Sequence, residues 1–342
     1  MLRVILSCRV FVCGMTRRLA IALALLAGSL LVAVASASDE PAGSGSARPG
    51  PPTSGEVERA TNRFLESADG STGAPATASG GSGGTSQGSG GDGLLADNRV
   101  VAFYGAPQMG ATIVGRKSIS GAKRKLRRQA RGYRGRGRAV IPGFDLVAAI
   151  ATSDRGRDGR FRSRQPNRVI ARYHNAARRL DGRLILDIQP GRSPFTTEVK
   201  ALKEWVVRSN VDIALDPEWN VGRRGRPGRS TGSVNAKMIN RVSGYMSRVI
   251  ERENLPNKAL VIHQFRQGSV KKRNRIKQPD GVDVVLNFDG IGSAAAKKAG
   301  YARLTREGLF AGFSLFFRLD QGLMSPKQVL RLRPEPDFLL YQ

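Results

Sequence analysis

Past residue 98 the chain alternates short apolar, β-branched runs with longer polar stretches of helical composition. The runs fall at 100–104, 144–151, 183–188, 211–215, 259–264, 282–288, 310–317 and 338–341, which predicts eight strands. Helical patterns cover 118–133, 165–180, 195–209, 233–254 and 293–305 between them. Strands that alternate with helices are joined in parallel, because each helical crossover returns the chain to the end of the sheet from which it left. Eight such units in residues 99–342 predict an α/β fold, a (β/α)8 TIM-type barrel. An open doubly wound sheet would show the same alternation, but its first strand usually leads into a Gly-rich phosphate loop. Gly105-Ala106-Pro107 with Gly110 and Gly115 lacks that spacing. Two connections, 269–277 and 325–332, leave room only for short helices, and no helical pattern follows the last run.

Two other patterns precede the barrel segment. Arg17 and Arg18 lead into an apolar stretch, Leu19 to Ala37, that ends in Ala35-Ser36-Ala37, the small-x-small pattern cut by signal peptidase. Residues 1–37 are therefore expected to be a signal peptide, or a membrane anchor if left uncut, since the stretch is long enough to span a bilayer. Residues 38–98 are rich in Gly, Ser, Ala, Thr and Pro, as in Gly80-Gly81-Ser82-Gly83-Gly84, and predict a disordered Gly/Ser-rich linker that cannot bury enough apolar area to offset its ordering entropy. The two cysteines, Cys8 and Cys13, both lie before the apolar stretch, so a cleaved chain would have no disulfide, zinc-thiolate site or cysteine nucleophile. A secreted or cell-surface location follows as the expectation.

Charge narrows the partners. The chain carries +29, with four arginines and no acid in residues 1–37 and three arginines against eight acids in 38–98, which leaves +30 on residues 99–342. Arginine-rich stretches lie at 123–138, 155–168, 223–229 and 271–277. Such a surface calls for an anionic partner. Nucleic acid is the usual one, but export argues against it, and the arginine stretches lack interleaved aromatics for base stacking. A glycan or anionic cell-wall polymer is the expected partner of a monomeric chain, with no nucleic acid.

In a barrel of this type the chemistry sits at the C-terminal ends of the strands. Five of these ends are polar: Asp187 and Gln189; Asp216, Glu218 and Trp219; His263 and Gln264; Asn287 and Asp289; and Asp320. Residues two apart on a strand point the same way, so Asp187 with Gln189, Asp216 with Glu218, and Asn287 with Asp289 would each present two polar groups to one side. An Asp at a strand end can instead cap the next helix. Glu218 fits that alternative poorly, because Glu is a weak cap and the next helical pattern begins some fifteen residues on. Tyr104 ends the first strand, and Trp219 could stack on a sugar face. His174, amid arginines in a helical pattern, is expected to be exposed. Asp187, Glu218 and Asp289 offer oxygens suited to a hard cation. Without a dedicated loop motif no metal or cofactor is assigned.

Asp216-Pro217-Glu218 resembles the D-x-E motif of glycoside hydrolase families 18 and 25, the chitinase-like and lysozyme-like barrels, at the same fourth strand end. That resemblance implies Glu218 as general acid and Asp216 as the group that orients substrate or tunes Glu218. Glycosidase carboxylates that work as a pair stand about 5–9.5 Å apart, which is the spacing expected here. The longer D-x-x-D-x-D-x-E pattern of family 18 is absent, since Val211 and Ala214 occupy its first two acidic positions. Residues 99–342 also resemble a group of uncharacterised exported actinobacterial proteins through the phrases FYGAP, LDIQPGRSPF, ALDPEW and HQF. Together these features imply an exported glycoside-hydrolase-like protein acting on a cell-wall or extracellular glycan. The alternatives are a non-catalytic cell-surface module that binds anionic polymers, and a metal-dependent phosphodiester hydrolase.

Overall fold

The computed structural model describes residues 93–135 and 137–342. The expected signal peptide or anchor, and the expected linker up to residue 92, lie outside the described residues. Eight strands, β1 (Asn98–Gly105), β2 (Ala139–Ala151), β3 (Arg183–Ile188), β4 (Val211–Leu215), β5 (Lys258–Gln264), β6 (Val282–Phe288), β7 (Phe310–Leu315) and β8 (Phe338–Tyr341), pair in parallel, each with the next. β8 returns to β1, with Val100 opposite Phe338 and Phe103 opposite Tyr341, so the ring is closed. This is the predicted TIM-type barrel. β3, β4, β5, β6 and β8 are buried along their whole length. Strands covered on both faces read as near-continuous apolar runs, which is why the sequence displayed them so plainly.

Helices α1 (Ile119–Arg131), α2 (Asn167–Arg178), α3 (Phe195–Ala201), α4 (Lys203–Val206), α5 (Ala236–Arg252) and α6 (Ala294–Leu304) form the outer layer. α1 buries Ala122, Leu126 and Ala130, one residue per turn on a single stripe, and its N-terminus is capped by the Ser118 side chain. α5 buries Ile239, Val242, Met246, Val249 and Ile250 behind an Asn235 cap. The single helix expected over 195–209 is two, broken at Leu202, whose ψ of 15° leaves the helical range. The fifth connection holds no α-helix: two 3-10 turns, Gln267–Ser269 and Arg273–Arg275, flank Val270–Lys271, which pairs in parallel with Val234–Asn235. The seventh holds one turn, Pro326–Val329, fixed by a Ser325/Gln328 capping box.

Two local expectations change. Residues 94–97, placed by composition in the linker, form a helical turn in which Leu95 is fully buried and donates its N–H to Asp283 (2.7 Å). His174 is buried rather than exposed. Its Nε2 lies 3.0 Å from Asn210 Oδ1, and its ring packs edge-on against Trp205, so it faces the barrel side of α2. Arg172 and Arg178, close to it in sequence, are exposed on the same helix.

The N-terminal end of the barrel is closed by ion pairs. Arg183 donates to both oxygens of Asp212 (2.7 and 2.5 Å), and Asp212 also accepts the Ala259 N–H (2.9 Å). Arg99 pairs with Glu335, and Lys258 donates to the Arg208 and Val211 carbonyls. Charge at this end is therefore structural, and the chemistry is left to the other.

Candidate active site

At the C-terminal end, β-strand alternation sends every second side chain inward. Asp187 on β3, His263 on β5 and Asn287 on β6 meet there. His263 Nε2 lies 3.2 Å from Asp187 Oδ2, and Nδ1 lies 3.2 Å from Asp289 Oδ2. His263 and Asn287 are opposite in register, and Asn287 Nδ2 sits 3.2 Å from His263 Nδ1 while donating to Ser314 Oγ on β7 (2.8 Å). Tyr104 stands opposite a further carboxylate, Asp145 on β2, and its ring meets the His263 ring edge-on at 6.2 Å. Gln189 ties the two sides together: its Nε2 donates to Tyr104 Oη (3.1 Å) and Asp216 Oδ2 (3.2 Å), and its Oε1 accepts the Ala151 N–H (3.2 Å).

Asp216 and Glu218 are held by a single 3-10 turn, Pro217–Trp219, that follows β4 directly. Pro217 at the start of the turn fixes φ where no backbone donor is needed. Gly232 comes back across the turn and donates to the Glu218 carbonyl (2.6 Å); a side chain at that glycine would strike the Pro217 and Asn220 carbonyls. Trp219 packs on Ala151, and both carboxyl groups are turned into the barrel mouth, with Glu218 only 7% exposed.

Five carboxyl groups, Asp145, Asp187, Asp216, Glu218 and Asp289, thus gather with one imidazole at the barrel mouth, all but Asp289 buried. They cannot all be ionised together. Burial pushes Glu218 up to about 7, against the pull of a hydrogen bond from Asp216. Burial and the neighbouring Glu218 and Asp187 charges hold Asp216 well above the carboxylate range. Asp145 is likewise held high by burial and by Asp187. Burial opposes charge on His263, but Asp187 and Asp289 outweigh it, and the imidazole is held well above its usual value. The mouth therefore stores exchangeable protons near neutral pH.

Carboxylate oxygens of Asp216 and Glu218 lie within 4.8 Å of each other, closer than the expected pair spacing. Asp216 can tune its neighbour but cannot face it across a substrate.

The structure unites most of the residues expected from the strand ends: Tyr104, Asp187, Gln189, Asp216, Glu218, His263, Asn287 and Asp289, with Trp219 beside them. Two stand apart. Gln264 follows His263 on β5 and so points outward, where it donates to the Leu304 carbonyl (2.8 Å). Asp320 lies beyond the end of β7, with one oxygen on Lys297 Nζ (2.9 Å) and the other accepting the Phe316 N–H (2.9 Å). Asp145 and Ser314 went unforeseen. Asp145 is the lone charged residue inside the 144–151 apolar run, and that was the available signal. No family model, curated protein or solved structure matches this chain. Membership of the actinobacterial group or of either glycosidase family is thus not shown. Among the described residues, donor atoms within 4.8 Å of one another define two groups that could hold a cation, Asp145, Asp187 and His263 in one and Asp216, Glu218 and Asp289 in the other. They divide the carboxylates differently from the Asp187, Glu218 and Asp289 set that the sequence suggested.

Proposed function

We propose that the protein is an exported or surface-held glycan hydrolase in which Glu218 is the general acid. The observation that carries this reading is the buried pairing of Asp216 and Glu218 at the end of β4, with carboxylate oxygens within 4.8 Å of each other, where burial pushes Glu218 up to about 7. In this reading Glu218 gives its proton to the glycosidic oxygen as the carbon–oxygen bond breaks, and a water molecule then adds to the sugar carbon and returns a proton to the Glu218 carboxylate. Asp216 supplies the hydrogen bond that sets the acid's strength, and Gln189 fixes the orientation of Asp216. Asp187 and Asp289, each 3.2 Å from a nitrogen of His263, lie beside the sugar carbon whose bond to the leaving oxygen breaks. Tyr104 and Trp219 line the same mouth and contact the sugar.

The test is Glu218→Gln in the full chain, assayed on cell-wall and extracellular glycans. The substitution is nearly isosteric and removes only the proton donor, so turnover should fall by at least about 10²-fold with the fold retained. Activity that survives the substitution removes the mechanism. A second reading, cation-dependent hydrolysis of phosphodiesters, is favoured by the two cation-sized groups at the mouth. Chelation decides between them, because glycan hydrolysis by carboxyl groups should be indifferent to it and the second activity should be lost.

A further inference from the structure

We infer that the rim beside Glu218 is a binding platform for an anionic polysaccharide, a sugar chain bearing carboxylate or phosphate groups. The inference rests on the glycan-hydrolase reading and names the substrate class of that same site. Three loops at consecutive strand ends build the platform. The loop after β2 carries Arg155, Arg157 and Arg160, all exposed, and the loop after β3 adds Arg192. The loop after β4, which starts at the Glu218 turn, carries Arg223, Arg224, Arg226 and Arg229, also exposed. Over 152–161, 189–194 and 220–233 these eight arginines face two acids, Asp154 and Asp158, and Asp158 is already bound to Arg162 (2.7 Å).

The loops form one surface rather than three separate flaps. The Arg192 N–H donates to the Arg160 carbonyl (2.8 Å), Arg192 Nε to the Gly225 carbonyl (2.8 Å), and the Val221 N–H to the Gly191 carbonyl (3.1 Å). The guanidinium groups of Arg192 and Arg226 both lie over the Phe161 ring, at 4.4 and 5.5 Å. Gly191 makes the closeness possible: its φ is 60°, and a side chain there would strike the Arg160 and Phe161 carbonyls.

Residue type and placement define the ligand. No lysine occurs in the three loops, and the planar guanidinium fork matches carboxylate and phosphate oxygens in a way an ammonium does not. The mouth is lined with acids while its rim is basic. A polyanion lying in the mouth itself would be repelled, whereas a sugar chain can set an uncharged glycosidic link over Glu218 and its charged substituents on the rim. The loops' one aromatic residue, Phe161, is buried under arginines, so nucleic-acid bases find no stacking surface on them.

The test measures binding and turnover separately on the full chain, with phosphomannan, polygalacturonate, neutral mannan and a single-stranded oligonucleotide of matched charge. Both anionic polysaccharides should bind, more weakly as salt is raised, and mannan should not; the tighter of the two identifies the preferred group. Combined Arg223→Glu, Arg224→Glu and Arg226→Glu should weaken binding by at least about tenfold, whereas the corresponding lysine variant, which keeps the charge but not the fork, should lose clearly less and show that the loop is intact. Glu218→Gln should bind like the wild type. Equal binding of mannan, indifference to charge reversal, or a preference for the oligonucleotide would overturn the platform. Turnover of phosphomannan and polygalacturonate unaffected by charge reversal removes the platform and leaves the hydrolase. Binding intact with no turnover on any glycan removes the hydrolase instead.

Discussion

Glu218 sits one residue beyond a proline and one hydrogen bond from a second acid, and both neighbours govern how it titrates. Because the Asp216 hydrogen bond holds Glu218 down against burial, Asp216→Ala should move the alkaline limb of the activity profile to higher pH. Asp216→Asn still offers a donor and should leave the limb near 7; a pH profile of kcat/KM for the two variants checks this. Stability responds to the same group. Its folded value of about 7 lies above the ordinary 4.5, so the folded state holds this proton more tightly than the unfolded chain. The associated stability is complete below about 4.5 and is lost as pH rises through 7, by roughly 3 kcal/mol for this group. Denaturant melts of Glu218→Gln, which has no proton to lose, should show a flatter decline across that window than the wild type. Most of the site was legible because polar residues at buried strand ends are conspicuous against apolar runs. Asp145 was hidden inside such a run. Gln264 was assigned to the mouth although strand alternation forbids it to share a face with His263. Asp320 was credited to a strand that stops five residues earlier, at Leu315.

All eight strands were legible because most are buried on both faces, although β2 begins at Ala139, five residues before its apolar run, where its residues are exposed or only partly buried; helix limits moved by up to three residues where caps rather than periodicity set them. Ser118 and Asn235, for example, lie just outside α1 and α5 as caps, not inside the helices. Packing against the barrel divides 195–209 into two short helices, and nothing in the local periodicity marks Leu202 as the break. The Arg183–Asp212 pair shows how neighbouring elements are fixed at the N-terminal end of the barrel, since it joins β3 to β4 and, through Ala259, to β5. Asp212→Ala would leave a buried guanidinium without its partner and should cost about 3–5 kcal/mol. Replacing both residues by apolar ones of similar volume should cost much less. Equilibrium unfolding of the single and double variants compares the two.

Across the whole molecule the decisive pairing joins residues far apart in sequence. β1 lies between β2, its successor in the chain, and β8, whose Phe338 sits opposite Val100. Removing residues 338–342 would open a seam along β1 and β7 and expose backbone donors and acceptors of two long apolar strands. Such a chain should lose its cooperative thermal transition and associate, which calorimetry and light scattering would show.

This closure also has a consequence in time. A barrel whose first strand must wait for its last cannot finish folding while the chain is still being made. Until residue 341 is available the ring cannot close, and the meeting of its two most distant strands should be a late step of folding.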